Sequence, residues 1–123
     1  METTLTVTQE KIQAHIPITV FHLQGWLDAR GEETLLAAAR DAYSEGARHL
    51  VLDLAGVETL TSAGMRAMHK VYKLFTPTEE RMKRLHVAIS NAPAQVNNIL
   101  GITGFLLNIP NYRNIQSAVE SFK

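Results

Sequence analysis

The stretch from Leu50 to Phe75 constrains this chain more than any other, because its hydrophobic spacing changes period part-way along. Leu50, Val51, Leu52 and Leu54 form an almost continuous apolar run interrupted only by Asp53, the pattern of a strand covered on both faces of a sheet. A turn is expected at Ala55-Gly56. Beyond it Met65, Met68, Val71 or Tyr72, and Phe75 recur at three or four residues, which is helical spacing. The segment therefore predicts a central strand, a turn, and a helix starting at Ser62.

A serine just before a helical pattern is a good N-cap, because its hydroxyl oxygen can accept a bond from an orphan backbone N–H. The same hydroxyl stands at the positive end of the helix dipole, where a phosphate is well tolerated. Local chemistry thus supports both a cap and a phosphorylation switch at Ser62, and capping is the commoner use of such a residue.

Composition narrows the classes. The chain has 123 residues, 46% of them hydrophobic, which suits one domain spanning residues 1–123 that buries its own core without a metal or disulfide staple. It has no cysteine, so thiol chemistry is removed and a reducing compartment is the simpler expectation. No apolar run approaches the roughly 20 residues of a membrane span, and Met1-Glu2-Thr3-Thr4 lacks the features of a secretory signal. A cytoplasmic location is expected. Acidic and basic residues balance at 12 each, and the nearest thing to a basic cluster is Arg81, Lys83 and Arg84. Neither nucleic acid nor membrane is expected as a partner.

In chain order, Leu5, Val7 and Ile12 alternate with polar residues as an edge strand or hairpin arm would. Ile16 to Leu23 is richer in strand formers, with Ile18, Val20 and His22 facing opposite to Thr19, Phe21 and Leu23, and Pro17 confined to the strand start. Gly25 is expected to break this run. A helix from about Ala29 to Glu45 carries Leu35, Ala38, Ala39, Ala42 and Tyr43, with Gly46 as terminator. After the Leu50 strand and the Ser62 helix, Thr76 to Lys83 reads as an exposed connection. Leu85, Val87 and Ile89 form another strand, and Asn91 and Pro93 give cap and first-turn signals for a helix carrying Val96, Ile99 and Leu100 that closes at Gly101. Leu106 to Ile109 predicts a short last strand, and Ile115, Ala118, Val119 and Phe122 stripe a terminal helix. Strands alternating with helices predict an α/β fold with a mixed sheet of four or five strands and about four helices.

The order of these elements and the residues around the serine turn resemble the STAS domain, the family of bacterial anti-sigma factor antagonists also found on sulphate transporters. Leu23-Gln24-Gly25-Trp26-Leu27-Asp28 is similar to the family's Leu-x-Gly-x-Leu-Asp. Val51-Leu52-Asp53-Leu54 is followed eight residues later by Ser62-Ala63-Gly64, and Ile102-Thr103-Gly104-Phe105 is similar to the corner before the family's last strand. The resemblance spans nearly the whole chain.

What the resemblance implies is a single-domain STAS-like fold and a binding protein with no catalytic activity and no cofactor. In anti-sigma factor antagonists of this family the serine matching Ser62 accepts phosphate from an anti-sigma factor that is a serine kinase, and the phosphorylated form releases that kinase. The implied partner surface combines Asp28, the helix start at Thr61, Ser62, Ala63 and Gly64, and the turn at Ser90, Asn91 and Ala92. One departure stands out: the family usually has aspartate directly before the serine, where this chain has Thr61. That leaves Thr61 as a second candidate acceptor, and leaves open a non-switching scaffold in a stressosome-like assembly with other STAS proteins. Asp28 reads equally as an ordinary helix cap.

The remaining alternatives are enzymatic or sensory. Ser62 and His69 invite a nucleophile and base assignment, but seven positions on one helix is about 10 Å along its axis, beyond hydrogen-bond reach. A serine hydrolase would need His22, His49 or His86 to reach Ser62 across the fold. The five histidines are scattered singly, without the spacing of a helical zinc site, so no metal is expected. A small-molecule-sensing module could hold an anion at the helix start, though no glycine-rich phosphate loop accompanies it. Trp26 reads as a core-edge residue or a partner anchor, and Met65 and Met68 as core.

Overall fold

The computed structural model describes residues 4–80, 85–102 and 109–122. In chain order the elements are β1 (Thr6–Gln13), β2 (Pro17–Leu27), α1 (Ala29–Ser44), β3 (Leu50–Leu60), α2 (Ser62–Phe75), a 3-10 turn at Thr78–Glu80, β4 (Val87–Ser90), α3 (Ala94–Ile102), β5 (Asn111–Tyr112) and α4 (Ile115–Ser121). They build one mixed sheet in the order β1-β2-β3-β4-β5. β1 runs antiparallel to β2 at the edge, and the other neighbours are parallel.

Alternation along the strands divides the core into two layers. Phe21, Leu23, Leu50, Leu52, Leu54, Val87 and Ile89 face the larger layer, which α1, α2 and α3 cover with residues such as Leu35, Met68, Phe75 and Leu100. Ile18, Val20, Val51 and Ala88 face the smaller one, closed by Ala118 and Phe122 at the end of the chain. Among the described residues there are five strands and four helices, the α/β fold expected from the alternation of four or five strands with about four helices. β3 has apolar cover on both sides, which is why its sequence is nearly continuous in apolar residues.

Several local expectations are corrected. No turn forms at Ala55-Gly56; β3 runs on to Leu60 and keeps pairing with β2, with register shifts between His22 and Gln24 and between Gly25 and Trp26. Gly56 is small because the strands crowd there: a Cβ on it would lie 2.9 Å from the Leu23 carbonyl oxygen. Gly25 likewise does not end β2, which continues to Leu27 with Gly25 at φ +108°, a backbone region open to glycine. Thr76 is buried, as the residue that ends α2, so the exposed connection begins at Pro77. Asn91 stands at the end of β4 with φ 58° instead of capping α3, whose first turn closes when Asn97 N–H donates to the Pro93 carbonyl at 2.8 Å. Gly101 lies inside α3. Of the expected last strand, Leu106 to Asn108 fall outside the described residues, and the strand seen is Asn111–Tyr112. Arg81, Lys83 and Arg84, and the corner at Thr103-Gly104-Phe105, also fall outside them.

Candidate functional site

The start of α2 is positioned by its contact with the end of β2. Thr61 has extended backbone, and its N–H donates to the Leu27 carbonyl at 3.2 Å. Its hydroxyl oxygen accepts from Gly64 N–H at 3.2 Å, and its carbonyl accepts from Met65 N–H at 2.9 Å. Thr61 is therefore the N-cap, and Ser62, expected to cap, is the first residue of the helix proper. The physical reason lies in the backbone: a cap residue keeps extended dihedrals while its carbonyl takes the first helical bond, and Thr61 is the residue that β3 delivers in that conformation. Gly64 lets the two elements meet, since a Cβ there would stand 2.0 Å from the Leu27 oxygen. Ser62 is exposed, Ala63 half-buried and Gly64 buried.

Because Leu27 pairs with Leu60, Asp28 and Thr61 leave neighbouring strands side by side. Asp28 caps α1, its Oδ1 accepting from Arg30 N–H at 3.0 Å and Gly31 N–H at 3.2 Å. Its Oδ2 accepts from the Arg30 guanidinium at 3.2 Å. Burial pushes the Asp28 carboxyl up, but the Arg30 side chain and the Gly31 and Arg30 amides outweigh it and hold it below its ordinary value. The Arg30 guanidinium also lies 5.9 Å from the ring of half-buried Trp26. Across the two helices Lys70 donates to Glu32; that bond, against burial and with further help from the charges of Lys70 and Arg66, holds the Glu32 carboxyl low. No acidic side chain occupies the first turn of α2. The positive end of its dipole is thus uncompensated by its own residues, and the exposed Ser62 hydroxyl stands beside it, where a phosphate would be stabilised.

Ser90, Asn91 and Ala92 belong to a different place. Ser90 pairs with Asp53, seven residues before Leu60; with the two register shifts that stretch of β3 runs beside the five positions from His22 to Leu27 of β2, or about 17 Å of extended strand. Ser90 is fully buried, while Asn91 and Ala92 are half-buried. Asn91 donates to Asp53 Oδ1 at 3.0 Å, beside Ala55 N–H at 3.1 Å. His22 Nδ1 lies 2.7 Å from Asp53 Oδ2, and His22 Nε2 lies 2.8 Å from Glu10 Oε1. The structure therefore brings Asp28 together with Thr61 to Gly64, and sets the Ser90 turn in a polar group with Asp53, His22 and Glu10. Sequence reasoning missed that group. Its signals were Asp53 as the lone charge within an apolar strand and His22 on a strand face otherwise lined by Ile18 and Val20.

The histidines that a Ser62 nucleophile would require are held elsewhere. His22 is engaged by Asp53 and Glu10. His49 and His86 stack at 5.1 Å just ahead of β3 and β4, at the opposite end of β3 from Ser62. His69 stacks on Tyr72, and Met68 is buried while Met65 is half-buried. Among the described residues no group of three or more His, Asp or Glu side chains could hold a metal ion, and no helix is long and apolar enough to cross a membrane.

With the geometry established, comparison with known proteins gives a consistent result. BtrV of Bordetella bronchiseptica, an anti-sigma factor antagonist by name, is 26% identical over 119 residues, 97% of this chain and 96% of that protein. The crystal structure of an anti-sigma factor antagonist from Mycobacterium paratuberculosis superposes with a TM-score of 0.79 at 20% identity, over 95% of this chain and 92% of that one. The phosphorylated form of the Bacillus cell fate determinant SpoIIAA gives 0.66 at 14% identity, over 94% of this chain and 97% of that one. At these identities the two structures speak for the fold. The family described as the STAS domain matches residues 8–118, from within β1 into α4, and this chain belongs to it.

Proposed function

We propose that this protein is an anti-sigma factor antagonist of the bacterial cytoplasm, which binds an anti-sigma factor with serine kinase activity through the start of α2 and is switched by phosphorylation of Ser62. The observation that carries this reading is the division of labour at that helix start. Thr61 supplies the capping bond, so the exposed hydroxyl of Ser62 can be modified without uncapping α2. A phosphoserine adds about −1.5 to −2 charge units at neutral pH, and a partner surface formed around a neutral hydroxyl then has to accommodate or repel that charge. Asp28 lies beside the same helix start and completes the partner surface; the Ser90 to Ala92 turn adds to it only if the partner also spans the length of β3 beyond Asp53.

Thr61, where the family's usual aspartate is absent, supports a second reading: a constitutive STAS scaffold that binds homologous chains without a switch. One experiment separates the two. The purified protein, with Ser62→Ala, Ser62→Asp and Thr61→Asp, is incubated with the candidate kinase and ATP, then mapped by site-resolved mass spectrometry and assayed for kinase binding. The switch requires phosphate on Ser62, none in Ser62→Ala, and weaker kinase binding by Ser62→Asp. Thr61→Asp preserves a cap and should raise phosphorylation at Ser62; if it lowers partner binding instead, Thr61 is the acceptor. Phosphate on neither residue, with equal binding by all variants, leaves the scaffold.

A further inference from the structure

Glu10, His22 and Asp53 form a row across three adjacent strands, on the sheet face that α4 covers only in part. His22 shares that face with Ile18 and Val20, and stands opposite Thr8 on β1 and Asp53 on β3. Its Nδ1 lies 2.7 Å from Asp53 Oδ2 and its Nε2 lies 2.8 Å from Glu10 Oε1. An ionised carboxylate only accepts, so an imidazole that makes both bonds has to donate from both nitrogens, which only the imidazolium can do. A proton placed on Asp53 instead would have to survive donors from Asn91 and Ala55 on the other oxygen of the same carboxyl. Burial pushes the Asp53 carboxyl up, but the bonds from Asn91, His22 and Ala55 together outweigh it and keep it ionised.

We infer that His22 is a protonated tie that joins the edge strand β1 to the centre of the sheet, and that loss of its proton releases the Glu10 side first. A neutral ring keeps one N–H. The Asp53 side chain is 11% exposed and the Glu10 side chain 54%, so the unpaired group costs less at Glu10, where water replaces the lost partner. The ring then retains Asp53, and through Asp53 the bond to Asn91 that secures the turn after β4 at its positive φ. The device acts on the edge strand and leaves that turn in place.

Among the described residues, Glu10 from β1 and Asp53 from β3 are the charged groups acting on His22; β4 presents Ser90 and Asn91, which carry no charge. Their hydrogen bonds, that to Glu10 first and that to Asp53 next, raise the His22 pKa against a smaller opposing effect of burial. A base whose folded pKa is raised contributes stability that is full below its unfolded value of about 6.5, and that is lost as pH rises through the folded value. The inference stands apart from the anti-sigma reading, since it needs no partner.

The test is a pH titration of the histidine ring nitrogens by long-range proton–nitrogen NMR on the whole protein, alongside backbone amide exchange corrected for its intrinsic pH dependence. His22 should show two protonated nitrogens at pH 6, a midpoint above that of a free histidine, and faster corrected exchange in β1 once the midpoint is passed, with the Asn91 amide unaffected. Glu10→Gln should lower the midpoint, and because Glu10 is exposed this variant retains the fold. A neutral His22 at pH 6, or a midpoint unmoved in Glu10→Gln, overturns the inference. Exchange that rises at Asn91 before β1 overturns the order of release.

Discussion

Replacing Gly64 with alanine sets two effects of opposite sign against each other. Inside a helix alanine is favoured over glycine by about 1 kcal/mol, so the exchange would stabilise α2 if the site were open. It is not open: the new Cβ would lie 2.0 Å from the Leu27 oxygen and 2.7 Å from its carbon. An ordinary contact is about 3.5 Å, so the start of α2 has to retreat by more than an ångström from β2, against the Thr61 to Leu27 hydrogen bond of 3.2 Å. Forcing an extra carbon into packed structure costs about 1–3 kcal/mol, and here the upper end applies because the obstacle is backbone and cannot rotate away. The net loss is about 2 kcal/mol. With an unfolding entropy of about 2.1 cal/mol/K per residue, 123 residues give about 0.26 kcal/mol/K, so Tm should fall by about 8 °C. Gly101→Ala in α3 is the control, since among the described residues nothing lies within 4 Å of a Cβ built there; helix propensity then decides, and Tm should rise by up to about 4 °C. Thermal melts followed by circular dichroism measure both. A Gly64→Ala variant that melts at or above wild type, or two variants that shift the same way, would refute the close approach of α2 to β2.

Thr61→Ala should cost about 1 kcal/mol by removing the capping bond to Gly64, whereas exposed Ser62→Ala should stay within about 0.5 kcal/mol of wild type; the reverse order in urea melts would return the cap to Ser62. Leu52→Ala empties a fully buried position of the central strand and should cost about 2–5 kcal/mol, with a loss under 1 kcal/mol arguing against burial of β3. Asp53 has a folded pKa held below its ordinary value, so its contribution is full above the unfolded value of about 3.9 and disappears as pH falls towards the folded one. Chemical denaturation between pH 7 and pH 3 should therefore show a shallower acid loss in Asp53→Asn than in wild type, and equal slopes would remove the ionised pairing.

Much of the molecule was legible because the relevant signals are local. An apolar run of strand length, a change of period and an acidic cap ahead of Ala29 identified β3, α2 and α1 without any knowledge of what they pack against. The resemblance at Gly25 to Asp28 and Ser62 to Gly64 located the candidate site on the same grounds. The misread strand glycines share one cause. Gly25 and Gly56 look like strand breakers in isolation, yet each is the small residue that lets a strand continue where another backbone comes close. Capping by Thr61 over Ser62 depends on which of two adjacent hydroxyl residues β3 leaves in an extended conformation.

By itself, then, the sequence determined the element types, the alternation that makes the fold α/β, and the position of the serine turn, since propensity and hydrophobic period act over a few residues. Tertiary structure decided the rest. Strand register brought Asp28 to the Ser62 helix start while placing the Ser90 turn opposite Asp53, and it set His22 between two carboxylates that lie 12 and 31 residues away in the chain. Those contacts depend on how far each strand extends and which face it presents, and no local stretch of residues carries that information.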